Sequence, residues 1–220
     1  NGEDGLGFVY KSEPLLVEAS LMIGNSSSAV SNNTRSGFGT SDEHFVKKLR
    51  VVKDDDTKAA FLGHSEFDDS GSPNRLNLHI RHSQTAFATV PDDKYIISEY
   101  EIRNVGQTAL NGIYAGLFSD WDVDQIARDV TKYDAANRLA YVYGRHGGTY
   151  YAGVKLLSTT GQAVYYPLAN QVPADPIFAD GEFSIAEKYQ TLSAGIKSTV
   201  LGENVPDGYD VLIVSGYGPF

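Results

Sequence analysis

The chain has 220 residues, 41% hydrophobic and 21% charged, with no cysteine and a formal net charge of −10. That length suits one domain whose core is large enough to fold without cross-links, and the charge repels phosphate backbones, which argues against a nucleic-acid partner. The absence of cysteine excludes disulfides, thiol catalysis and thiolate-held zinc, and no apolar run approaches the ~18 residues of a membrane span, so no membrane insertion is expected.

Strand patterns dominate from the start. Residues 6–10 (LGFVY) and 14–24 (PLLVEASLMIG) are apolar runs bounded by Gly or Pro. Residues 25–42 are small and polar and read as a long surface loop. Residues 44–53 are mixed, and 75–90 set Leu76, Leu78 and Ile80 against Asn77, His79 and Arg81, the period-2 pattern of a half-buried strand. Strand patterns follow at 94–106, 108–121, 138–145, 149–158 and 162–169, rich in Tyr, Val, Ile and Phe. The polar turn in NVGQTALNG (104–112) predicts a hairpin between the first two of these. A helix is predicted over 184–195, because Ser184 and Glu187 have capping-box spacing, Ile185, Tyr189 and Leu192 share a face, and Gly195 closes it. A second short helix is predicted within 123–130. The chain opens on NGEDGLGF without an initiator Met and stops on the strand pattern YDVLIVSGYGPF, so a C-terminally truncated fragment of a longer protein is expected. Many short strands with frequent turns define the fold class: all-β, a large antiparallel β-sandwich over residues 1–220 with one or two short helices.

The acids of GLFSDWDVDQ (116–125) are the main chemical signal. On an extended chain Asp120, Asp122 and Asp124 share one face, while Leu117 and Trp121 take the other. If the chain curls there instead, the D-x-D-x-D spacing supplies clustered carboxylate oxygens of the kind calcium prefers. It is not an EF-hand, since the glycine and glutamate of that loop are missing. Asp129, Asp134 and Asn137 are further oxygen donors within reach. The alternative, a solvated strand end with capping acids, stays open. A glycosidase reading needs two carboxylates in an aromatic cleft, and the tyrosines sit in strand patterns where core packing is their usual use. His79 and His82 fall on opposite strand faces and cannot share a metal. No G-x-S-x-G elbow, H-E-x-x-H pair or phosphate loop is present.

Four segments carry a family resemblance: 14–24, KYIISEYEIRNVGQTALNGIYAGLFSDWDV (94–123), YDAANRLAYVYG (133–144) and YYAGVKLLS (150–158). Together they resemble an accessory β-sandwich region found downstream of the catalytic domain in large secreted bacterial proteins, notably subtilisin-like peptidases of the Bacteroidetes type. The resemblance covers most of residues 6–218. It implies a secreted or cell-surface setting and a non-catalytic role beside other domains of a parent protein, whose peptidase motif is absent here. On that reading Asp120, Asp122, Asp124 and Asp134 form a calcium cage shielded by Trp121. The alternative is a carbohydrate-binding module. Tyr150, Tyr151, Tyr165 and Tyr166 come in adjacent pairs, and one of each strand pair must face outward, where it can stack on a glycan or cell-surface polymer.

Overall fold

The computed structural model describes residues 8–55, 58–123, 128–148, 150–158, 160–170 and 176–220. Five strands open the chain: β1 (Phe8–Tyr10), β2 (Glu13–Ser26), β3 (Ala29–Asn32), β4 (Arg35–Gly37) and β5 (Thr40–Ser41). Four follow: β6 (Val46–Lys53), β7 (Phe61–Asp68), β8 (Leu78–Ala86) and β9 (Ile96–Asn104). The rest of the chain forms β10 (Tyr114–Trp121), β11 (Asp129–Asp134), β12 (Leu139–Gly144), β13 (Tyr151–Lys155), β14 (Gln162–Ala169), α1 (Ile185–Ser193), β15 (Val200–Leu201) and β16 (Val211–Gly218). The protein is all-β with antiparallel sheets and one α-helix among the described residues, as the alternation predicts. Contacts gather into two units, Asn1–Asp42 with Asn111–Phe220, and Glu43–Leu110.

The first unit is built on a central sheet of order β1-β2-β10-β16-β14, with β3 paired to β2. Both faces of this sheet are covered. Val211 and Ile213 of β16 enter one apolar cluster with Trp121, Val142 and Tyr165. Leu212 and Val214 enter another with Phe118, Phe183 and Leu192. A strand buried on both faces reads as a continuous apolar run, which is why VLIV at 211–214 does not alternate. The first cluster lies against a second sheet, β13-β12-β11-β15, which contributes Tyr133, Ala140 and Val142. These two sheets make the sandwich.

Helix α1 covers the other face. The Ser184 hydroxyl accepts from the Glu187 amide, and the Glu187 carboxylate accepts from the Ser184 amide at 2.9 Å, the predicted capping box. Gly195 takes φ +66 just past the helix, a left-handed turn that lets its carbonyl accept from the Tyr165 amide at 3.0 Å. Lys188 is wholly buried under the helix. Its ammonium donates to Asp42 Oδ2 at 2.7 Å and to the Thr34 carbonyl at 3.4 Å, and lies 5.3 Å from the Phe183 ring centre.

The second unit is an antiparallel meander of order β6-β7-β8-β9. Register places Phe67, Ile80 and Ile102 side by side, and His82 stacks on Tyr100 with ring centres 4.3 Å apart. Burial lowers the His82 pKa and pushes the Tyr100 hydroxyl up to about 12. Edge strand β6 carries Lys47, Lys48, Arg50 and Lys53. Charge of this kind discourages edge-to-edge pairing.

Two local expectations change, and a third falls largely on residues outside those described. Residues 25–42 are not a featureless loop: they hold the end of β2 together with β3, β4 and β5. The polar side chains substitute for missing ladder bonds, with Asn32 Oδ1 accepting from the Thr34 amide at 2.9 Å and Asn32 Nδ2 donating to Asp42 at 3.0 Å. The hairpin across 104–112 does not form: β9 pairs with β8, while β10 pairs with β2 and β16. Its polar turn residues instead bond locally, Asn104 Oδ1 accepting from the Gly106 amide at 2.8 Å and Asn104 Nδ2 donating to the Thr108 carbonyl at 2.7 Å. Of the short helix predicted in 123–130, residues 124–127 lie outside the described residues, and Asp129 and Val130 begin β11.

Lys188 supplies a direct test of the helix-to-sheet attachment. Lys188→Ala removes the ammonium and leaves Asp42 facing a cavity, so urea unfolding followed by Trp121 fluorescence is expected to show a loss of about 3 kcal/mol. A loss below about 0.5 kcal/mol, the scale of a surface substitution, would show that the buried ion pair does not secure the helix.

Candidate functional site

Strand register brings the acids together. Asp120 lies opposite Leu212 on one side and Glu18 on the other. Continuing the antiparallel register two residues puts Asp122 beside Asp210, at the entry to β16. The next strand ends in step: the Asn170 amide donates to the Asp210 carbonyl at 2.8 Å, and Asn170 Nδ2 donates to Asp210 Oδ2 at 2.9 Å. Three strands of the central sheet therefore deliver Asp120, Asp122, Asp210 and Asn170 to one end.

Oxygens of Asp120, Asp122 and Asp210 lie within 4.8 Å of one another. Beside them runs an open cleft of about 340 Å³, also bordered by Arg35, Asp180 and Phe38 at the tip of the β4–β5 hairpin. Arg35 is the counter-charge. Its Nε donates to Glu18 Oε2 at 2.6 Å, one terminal nitrogen donates to Asp180 Oδ1 at 2.5 Å, and the other to Asp120 Oδ2. The Arg35 amide also donates to Glu18 Oε1 at 3.0 Å. The guanidinium carbon sits 5.5 Å from the Phe118 ring centre, a cation–π contact from below.

Five carboxylates thus share one guanidinium. Burial opposes the charge on Arg35, but Asp120 and Glu18 outweigh it and hold the guanidinium ionised. Three of the acids, Asp120, Asp122 and Asp210, are pushed toward their neutral forms. Burial raises the Asp120 pKa to about 7 despite Arg35, with Asp210 and Asp122 adding repulsion. Burial also raises Asp122, and it raises Asp210 against the hydrogen bond from Asn170. An acid group this short of positive charge takes up protons or a hard cation. The three carboxylates offer oxygen donors of the kind calcium uses, while Asn170 turns its Nδ2 toward Asp210 and its Oδ1 toward the Asp180 amide.

The other sequence candidates go elsewhere. Asp124 lies outside the described residues. Asp134 does not join the cage. It caps the β11–β12 turn, accepting from the Asn137 amide at 3.1 Å and from Asn137 Nδ2 at 2.7 Å, and these bonds lower its pKa. Asp129 Oδ2 accepts from the Val123 amide at 3.1 Å. Trp121 faces away from the acids into the sandwich core, edge-on to Phe8 at 6.0 Å, so it shields no cage and is buried from any ligand. Tyr165 and Tyr166 are both buried, because β14 belongs to the sheet covered on both faces. Tyr165 stacks on Tyr133 at 5.0 Å and bonds Thr131 at 2.8 Å. Tyr150 is half-buried against Tyr10 at 5.9 Å. Only Tyr151 of the four is exposed.

Sequence reading missed Asp210, Arg35 and Asp180. Asp210 stands directly before the apolar run 211–214, Asp120 stands just beyond the run that ends at Phe118, with Ser119 between, and that position at strand ends is the only local signal. Arg35 lies among small polar residues that give no sign of burial. No family model matches the chain, and neither the curated proteins nor the solved structures compared with it give a match.

The acid cluster dictates a pH dependence. Raised carboxyl pKa values mean that the folded state holds protons more tightly than the unfolded chain, so the cluster is least destabilising in acid and loses stability as pH rises through about 7. Asp210→Asn removes one of the repelling charges. Urea midpoints in chelator should therefore show the variant gaining on the natural protein between pH 5 and pH 8. A difference that stays constant across that range would mean the three acids do not titrate as a group.

Proposed function

We propose that the chain is a non-catalytic, calcium-stabilised binding module of a larger secreted bacterial protein. The observation that carries this is the surplus of carboxylate at the end of the central sheet: three acid oxygens within 4.8 Å, with the single guanidinium already divided among Glu18, Asp120 and Asp180. A divalent cation bridging Asp120, Asp122 and Asp210 relieves that repulsion and ties the ends of β10 and β16 together. Calcium suits the site better than magnesium, because an irregular carboxylate set meets calcium's flexible coordination more readily than an octahedron. The secreted setting and the accessory role beside a catalytic domain are what the resemblance of residues 94–123 and 133–144 implies.

Thermal melts test the reading. With millimolar calcium the natural protein should melt several degrees higher than in chelator. A free-ion concentration a hundred times the dissociation constant stabilises by about 2.7 kcal/mol. Asp122→Asn should remove the calcium-dependent part of the shift while leaving a cooperative melt in chelator. Identical melts of the natural protein with calcium and with chelator would overturn the proposal.

A further inference from the structure

The outer face of the second sheet carries an aromatic patch that the fold does not require. On the inner face Ala140 and Val142 are buried, and Ala152 and Val154 of β13 pack against the same core. The residues between them point the other way. Register sets Tyr143 opposite Tyr151, and Tyr141 opposite Gly153. With no side chain at Gly153, the ring of Tyr151 reaches both partners: its centre lies 5.4 Å from Tyr143 and 6.3 Å from Tyr141, and Tyr141 and Tyr143 are 6.1 Å apart. The three rings form one triangle. Tyr151 is 69% exposed and stands on the edge strand of the sheet, so its outward ring face meets solvent.

Cross-strand aromatic pairs stabilise a sheet, and that would account for two of the rings. It does not account for a third ring left mostly in water beside them. Tyr151 is exposed while Tyr141 and Tyr143 are half-buried, and an aromatic ring left in water against two others is the kind of surface a ligand can cover. The electron-rich faces of tyrosine rings attract the polarised C–H groups of a pyranose, and hydroxyls at the ring edge supply hydrogen bonds.

Charge narrows the ligand. The chain as a whole has net charge −10, yet residues 128–155, which form β11, β12 and β13, hold five Lys or Arg against two Asp. Two of these cations flank the triangle. Lys132, opposite Tyr141, places its ammonium 5.7 Å from the Tyr143 ring centre while paired with Glu203. Lys155 lies four residues along β13 from Tyr151 on the same face, about 13 Å away at strand rise. Glu203 balances Lys132, so the basic edge is Lys155, and its charge favours a polymer that itself carries negative charge.

We propose that Tyr141, Tyr143 and Tyr151, with Lys132 and Lys155, bind an anionic polysaccharide bearing carboxylate or sulfate groups. This rests on reading the chain as a binding module, and it places the ligand surface on a different sheet from the acid cluster. Tyr151 and Tyr143 stack against sugar rings, and Lys155 meets the anionic substituents.

Affinity electrophoresis of the whole chain, with calcium present, tests it. The gels contain polygalacturonate, chondroitin sulfate, neutral galactomannan or no polymer. Retardation is expected in one or both anionic gels and not in galactomannan. Tyr151→Ala should weaken it about tenfold, the order expected for one lost ring contact, and Lys155→Ala should reduce its salt sensitivity. Tyr151 is exposed, so its truncation leaves the core intact, and an unchanged melt confirms that. No retardation in the anionic gels, equal retardation by the neutral polymer, unchanged retardation of Tyr151→Ala, or retention on a single-stranded oligonucleotide instead would overturn the proposal. A calcium-dependent melt that persists alongside such a failure would leave the cation reading standing, so the two fail separately.

Discussion

One guanidinium organises the first unit. Arg35 joins Glu18 on β2, Asp120 on β10 and Asp180 in the turn before α1, the last of them 145 residues from Arg35 in sequence. Removing a charged partner from a buried pair strands its counterpart, so these four side chains stand or fall together. Arginine suits the position because its planar fork can address three carboxylates at once, which a lysine ammonium cannot do with the same geometry. Arg35 stands at the start of the short β4–β5 hairpin. Its backbone is bound too: the Phe183 amide donates to the Ser36 carbonyl at 3.1 Å.

The rest of the unit follows from a sheet covered on both faces. Where the central strands run through the core they are apolar without alternation, and where they emerge they end in polar residues: Asp120 and Asp122, Asn170, Asp210. Antiparallel register aligns those ends. The acid cluster is thus the edge of a core, drawn together by strand pairing. Its electrostatic penalty is only partly offset by Arg35. Lys188 shows the contrasting case, one buried cation matched to Asp42 and a carbonyl, with its remaining surface on an aromatic ring.

Much of this was legible in the sequence. Period-2 alternation marks β8, apolar runs bounded by Gly or Pro mark β1 and β2, and the Ser184–Glu187 spacing marks α1. Asp120 and Asp122 share a face as alternation requires. What stayed hidden depends on pairing between distant strands. Asp134 looked available because it follows the acids closely in sequence, yet it is used up in its own turn with Asn137. Asp210 lies far along the chain and joins only through the β10–β16 register. Arg35 sits in a polar stretch whose side chains replace ladder bonds, so composition read it as loop. The hairpin expected at 104–112 failed because turn residues report a local reversal, not which strand comes next in the sheet. Strand alternation at Tyr165 and Tyr166 gives an exposed ring only where that face of the sheet is uncovered, and β14 is covered on both faces.

The interruption of the first unit by residues 43–110 has a consequence for synthesis. Glu18 and Asp120 are neighbours across β2 and β10, but about a hundred residues separate them along the chain. Pairing so remote is slow to form, because a long loop must close before any contact rewards it. On the ribosome, β2 emerges fourteen residues long with only β1 and β3 to pair with, and its other edge stays bare until β10 arrives. Throughout that interval the intervening meander, whose strands pair in sequence order, can complete itself first. The nascent chain therefore carries one finished module and one open, apolar strand edge at the same time, and that edge is where a holdase would be needed.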